Sequence, residues 1–178
     1  VNFANTIVEN DTFNCFYYDN LYNGAGVAMG DINNDGLPDL YFVSNQGADQ
    51  LYLNKGGMQF KNITKKAFPK QDNSGWHTAA SMADVNADGY LDIYVCKHGI
   101  GASKVNYRNL LYINNGNNTF TERGKEYGVD DPGRSMDADF FDYDQDGDLD
   151  LLVTNHRENT CIMDQFKHLT YLEQFHSN

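Results

Sequence analysis

Three stretches of nine residues place oxygen donors at alternate positions around a glycine. Asp31, Asn33, Asp35 and Asp39 hold the first, third, fifth and ninth positions of one. Asp84, Asn86, Asp88 and Asp92 do so in the second, and Asp142, Asp144, Asp146 and Asp150 in the third. Gly36, Gly89 and Gly147 hold the sixth position. This donor pattern suits a hard dication, which takes roughly six to eight oxygen ligands at about 2.3–2.6 Å. The side chains at one, three, five and nine are expected to point at the ion. The backbone carbonyl at seven adds an oxygen from Leu37, Tyr90 or Asp148. The glycine permits the positive φ that a tight wrap requires. Up to three Ca²⁺ sites are therefore expected. Mg²⁺ is disfavoured, because it usually keeps several waters. The third loop carries four ligand carboxylates and the others three each, with Asp148 adding further negative field. It is expected to bind tightest, since ligand charge tunes affinity.

An EF-hand is excluded. It needs a bidentate Glu at position twelve and flanking helices. Position twelve here is Phe42, Val95 or Val153, each within an apolar run of β character. Ordinary Asp/Asn/Gly turns would not recur three times, each feeding a matching strand.

The elements around the loops repeat with them. The first copy is expected to have strands over 26–30, 40–44, 50–54 and 59–63, with a hairpin turn at 55–57. The second has 78–83, 93–96, 109–113 and 119–123. The match extends beyond the loops, since 51–54 aligns with 111–114 and Phe60 with Phe120. The third has 136–141 and 151–154 and then stops matching. Loops beginning at Asp31, Asp84 and Asp142 give a period of roughly fifty to sixty residues, the mark of a repeat architecture. Four short strands per repeat read as the blades of an all-β propeller. The expected divisions are lead-in strands over 1–24, blades over 25–68 and 76–127, a partial blade over 135–155, and a divergent tail over 156–178.

The lead-in is expected to form strands around Phe3, Ile7 and Val8 and over 13–18, with Tyr17, Tyr18 and Tyr22 packing against the first repeat. In the tail, Ile162, Phe166, Leu169 and Leu172 fall at helical spacing, although diverged strand sequence fits equally. Trp76 reads as a packing wedge between blades. The insertion over 98–108 is either a binding loop or a tolerated elaboration.

Bulk composition narrows the partners. The 178 residues carry a net charge of -12, which disfavours nucleic acid. Three bound Ca²⁺ would offset about half of it. No apolar run is long enough to span a bilayer. The chain begins at Val1 without a basic-then-apolar leader, which fits a processed precursor or a part of a longer protein. Cys15, Cys96 and Cys161 are odd in number and lack metal spacing, so neither a disulfide framework nor a zinc site is implied. Cys96 reads as a core residue.

The three loops, with the aromatic strands between them, resemble FG-GAP/VCBS repeats. The likeness extends to the ASPIC/UnbV-associated secreted repeat proteins, to cartilage acidic protein-like proteins and, more distantly, to the integrin α propeller. It covers roughly residues 22–155. The resemblance implies propeller blades, structural calcium and a secreted or cell-surface setting. The family's propellers usually have about seven blades, and this chain supplies about two and a half. The tail over 156–178 does not match the repeat. Closure needs at least about four blades, so the chain is expected either to belong to a larger propeller or to self-associate.

The expected function is calcium-stabilised binding or adhesion without catalysis, toward an unknown protein or glycan. The alternative is the catalytic or non-catalytic propeller part of a polysaccharide-acting enzyme. Such chemistry needs a clustered acid and base outside the metal loops. His77, His98, His156, His168 and His176 stand in no catalytic spacing.

Overall fold

A computed structural model of the chain describes residues 1–11, 13–16, 21–98 and 107–156, with the backbone of Leu169–Leu172. The first sheet contains β1 (Val27–Gly30), β2 (Asp39–Phe42), β3 (Gln50–Asn54) and β4 (Phe60–Asn62), antiparallel and in that spatial order. The second repeats it with β5 (Trp76–Ala83), β6 (Asp92–His98), β7 (Leu110–Asn114) and β8 (Phe120–Glu122). The third has β9 (Ser135–Phe141), β10 (Asp150–Asn155) and β11 (Leu169–Leu172). The architecture is all-β, with sheets of the propeller-blade type. Among the described residues they do not close into a ring.

Register makes the three acidic loops equivalent. Gly30 pairs with Asp39, Ala83 with Asp92, and Phe141 with Asp150. Each loop therefore closes the hairpin between the first two strands of its blade, and the ninth residue opens the second strand.

The inner strands β1, β5 and β9 lie side by side. The Gly26 N–H donates to the Thr78 carbonyl at 2.7 Å. A Cβ at Gly26 would meet the Ala79 Cα at 2.8 Å, so only glycine allows this approach. The Thr78 hydroxyl in turn donates to the Ser135 carbonyl at 2.8 Å. Two cores fill the gaps between blades. One packs Tyr41, Val43, Leu51 and Leu53 against Ile93, Val95, Leu110 and Tyr112. The other packs Tyr94, Cys96, Leu111 and Ile113 against Ala138, Leu151 and Val153. Each such buried side chain contributes roughly 1.5–3 kcal/mol.

Two short helices, α1 (Thr64–Ala67) and α2 (Gly124–Tyr127), follow the fourth strands of the first two blades. Sequence periodicity does not show them, because four residues are too few to carry a period. α1 is tied back to its sheet by Leu51 N–H donating to Thr64 Oγ1 at 2.9 Å. Just beyond it, Phe68 packs against Tyr41 of its own blade and against Tyr112 and Phe120 of the next.

The described residues of the lead-in do not form the expected strands. Among its described residues the segment holds only an isolated bridge between Asn10 and Phe13. It lies over the first sheet: Phe3 stacks on Phe42 at 4.9 Å, and Tyr52 donates its hydroxyl to the Asn2 carbonyl at 2.9 Å. Its β-favouring residues cover a sheet face, which satisfies the same apolar demand without a ladder. Tyr17 and Tyr18 lie outside the described residues, and Tyr22 is exposed. In the tail, Leu169 and Leu172 are strand, paired with Thr154 and Leu151, which overturns a helix at those residues. Ile162 and Phe166 lie outside the described residues.

Trp76 is buried at the start of β5 with its ring against Phe13, as a packing role requires. Cys96 is buried in the second core, and Cys15 is exposed. Of the insertion, 99–106 lie outside the described residues. No described helix is long and apolar enough to cross a membrane.

Candidate metal centre

The first six positions of each loop wrap by the same bonds from the first Asp. In the first, Asp31 accepts from Asp35 N–H at 3.1 Å and from Gly36 N–H at 2.7 Å. In the second, Asp84 accepts from Asp88 N–H at 3.0 Å and Gly89 N–H at 2.8 Å. In the third, Asp142 accepts from Asp146 and Gly147 N–H, both at 3.1 Å. Gly36, Gly89 and Gly147 sit at φ of 82°, 88° and 96°, the left-handed region that the spacing predicts. A feature absent from that expectation is the fourth position. Asn34, Ala87 and Gln145 also adopt left-handed φ, of 58°, 56° and 64°.

The donor set fits a hard cation. One carboxylate oxygen from each of Asp142, Asp144 and Asp146 lies within 4.8 Å of the others, and all three side chains are exposed. All are oxygen donors and none is soft, which suits calcium over thiophilic metals.

The ninth residues differ from the other side-chain donors of each loop, because they are buried. Asp39 accepts from Ile32 N–H at 3.1 Å and from Asn54 N–H at 2.8 Å, one to each oxygen. Asp92 does the same with Val85 N–H at 3.0 Å and Asn114 N–H at 2.7 Å. Asp150 accepts from Tyr143 N–H at 2.8 Å. Each of these carboxylates thus pins its loop, and in the first two blades the end of the third strand as well. A carboxylate oxygen has two lone pairs, so these bonds leave room for an ion. Burial pushes the Asp39 carboxyl up, against the pull of the Asn54 and Ile32 N–H groups. Burial takes Asp92 to about 6, with Asn114 and Val85 N–H opposing and Asp88 and Asp84 adding to the rise.

A second polar cluster was not legible in the sequence. Asp49 accepts from Tyr41 Oη at 2.9 Å and from Ser44 N–H at 2.8 Å, and its Oδ2 lies 2.7 Å from His77 Nδ1. A Tyr–Asp–His string has the composition of an acid–base site. Here all three side chains are fully buried at the boundary of the first two blades. Register gives its counterpart one blade on. Asn109 accepts from Lys97 N–H at 2.7 Å and donates to Tyr94 Oη at 3.0 Å and Ser135 Oγ at 2.7 Å. The cluster is a repeated joint between blades. His98 and His156 also sit at equivalent strand ends, with ring centroids 5.6 Å apart.

Comparison with known proteins agrees with this geometry. A sequence model of the FG-GAP-like repeat matches residues 31–95 and 100–153. A T-cell immunomodulatory protein homolog of Plasmodium falciparum is 25% identical over 170 residues, covering 90% of this chain and 22% of the relative. Cartilage acidic protein 1 of Mus musculus is 27% identical over 137 residues, covering 74% and 21%. Integrin alpha-3 of Cricetulus griseus is 32% identical over 94 residues, covering 47% and 9%. The chain spans about a fifth of the length of the first two and less of the third. With the family matched across all three of its acidic loops, and with blade-type sheets built around them, the chain belongs to the FG-GAP-like repeat family.

Proposed function

We propose that this chain is a calcium-stabilised, non-enzymatic binding module that works at the cell surface or outside the cell. The observation that carries the metal reading is the cluster of Asp142, Asp144 and Asp146, three exposed carboxylates converging within 4.8 Å. Positions one, three, five and nine of each loop, with the carbonyls of Leu37, Tyr90 and Asp148, would hold one ion per loop. A bound Ca²⁺ supplies positive charge at the centre of the wrap. The chain's own residues do the rest: the glycine turns, the first Asp orders the turn, and the ninth Asp anchors it to the sheet. Without the ion, like charges a few Å apart repel. Chelation is therefore expected to lower the melting temperature sharply, with Mg²⁺ a poor substitute. An unchanged melt on adding chelator would sink the reading.

Asp49 and His77 are buried, so the Tyr–Asp–His string is assigned to the joint between blades and not to catalysis. Relatives named as an integrin and a cartilage acidic protein support an adhesion role toward a protein or glycan.

The partner nearest to hand is a further blade. On blade 2, Ala80, Met82, Ile93 and Val95 receive the face of blade 1. Register puts Val27, Met29, Leu40 and Phe42 at the same positions on blade 1. There Val27 is 55% and Met29 67% exposed. The lead-in already covers Phe42 of this face through Phe3; we assign the open part around Val27 and Met29 to another blade of the same repeat type, from a longer chain or a second copy. Light scattering separates the cases: a well-behaved 20 kDa monomer whose stability does not rise in a longer chain would refute both.

A further inference from the structure

We propose that Asn34 and Asn114 are positioning residues that tie the ion loops of the first two blades into a coupled pair. This rests on the calcium reading above and deepens it. Asn34 is the fourth residue of the first loop. Its left-handed backbone turns the amide outward, and Nδ2 donates to the Gly89 carbonyl of the second loop at 2.9 Å. Asn114 ends β7 and makes the deeper tie. Its Nδ2 donates to the Ile32 carbonyl at 2.8 Å and to the Leu91 carbonyl at 3.1 Å. Its backbone N–H donates to Asp92, and the N–H of Ile32 donates to Asp39. A continuous bonded route therefore runs from the ninth carboxylate of one loop to that of the next, through Ile32 and Asn114.

The route gives coupling a physical basis. The Gly89 carbonyl is the sixth position of its loop and faces Asn34 only while that turn is wrapped. Ordering one turn lowers the ordering cost of the other, which is positive coupling between sites. Charge acts the other way, because a loaded loop is less negative and attracts the second ion less. That effect is weakened by screening at about 0.15 M salt, where the Debye length is about 8 Å. The fourth residue of the second loop is Ala87, which has no donor, so the Asn34-type tie has no counterpart toward the third loop.

Terbium luminescence provides separate readouts for the second and third loops. Tyr90 lies at position seven of the second loop and Tyr143 at position two of the third, while the first has Ile32 and Leu37 at those positions. Asp35→Ala disables the first loop at an exposed residue. In a Tyr143→Phe background, it is expected to weaken Tyr90-sensitised Tb³⁺ binding about five-fold, the low end of typical couplings. Adding Asn34→Ala is expected to remove part of that sensitivity, and adding Asn114→Ala as well to remove the rest. Alanine can adopt this conformation at some strain, as Ala87 does natively. In a Tyr90→Phe background, the Tyr143 signal is expected to be unchanged by Asp35→Ala. The inference is overturned if the Tyr90 signal ignores Asp35→Ala, or if both signals weaken equally. Absence of any Tyr90-sensitised binding overturns the calcium reading itself, whereas binding without coupling overturns only this inference.

Discussion

His77 Nδ1 lies 2.7 Å from Asp49 Oδ2, with both side chains buried where the first two blades meet. One blade on, Ser135 and Asn109 hold the same two places. A charged acceptor and a neutral one thus serve the same joint, which allows a graded test. Asp49→Ala leaves Tyr41 Oη, Ser44 N–H and His77 without their acceptor, and is expected to cost about 2–4 kcal/mol. Asp49→Asn keeps an acceptor of the kind Asn109 provides and is expected to cost less. Urea midpoints of the two variants check the order, and equal losses would show that charge rather than acceptor geometry holds the joint.

Lys97 donates from its buried Nζ to Asp72 Oδ2 at 3.0 Å. Burial alone would raise the Asp72 carboxyl, but hydrogen bonds from Ser74 and Lys97 outweigh it and hold the group below its ordinary value. A depressed carboxyl stabilises the fold above its unfolded pKa of about 3.9 and loses that contribution as pH falls through the folded value. Stability is therefore expected to drop below about pH 4. Lys97→Met is expected to flatten this acid limb in denaturation curves measured between pH 2 and 5.

Ala87 sits at φ 56°, a region where an L side chain costs roughly 1–2 kcal/mol. Ala87→Gly relieves that strain and returns part of the gain as backbone entropy. The net expectation is a stabilisation of about 0.5–1 kcal/mol, read from the denaturant midpoint with calcium present. This is opposite to the usual effect of glycine inside a regular element.

Asp144 is the third-position carboxylate where the other loops have Asn33 and Asn86. Asp144→Asn makes the third loop resemble them and is expected to weaken its calcium affinity by roughly an order of magnitude. Calorimetry should show one class of site moving toward the others.

The loops and blade strands were legible because both are local. Asp and Gly spacing defines the turn within nine residues, and Leu51 to Asn54 repeats as Leu111 to Asn114. Other features depend on residues far apart in sequence. Asp49 and His77 meet only once two sheets pack, and their counterparts Asn109 and Ser135 share no residue type with them, so no motif connects the pairs. The anchoring role of Asp39 and Asp92 was hidden for a related reason. Their spacing marks them as candidate ligands, while their burial and N–H partners come from the sheet. The lead-in segment misled because Phe3 has the same apolar character whether it joins a ladder or covers Phe42.

Phe68 belongs to the first repeat by sequence but touches Tyr112 and Phe120 of the second sheet. The written repeat is therefore not the unit that comes apart. Slow-exchanging amides in β3 and β7 should be released in one subglobal event rather than blade by blade. A domain boundary drawn at the repeat edge would strand an aromatic ring on whichever side kept it. Grafting or shuffling these blades would thus have to move each repeat together with the third and fourth strands of its successor.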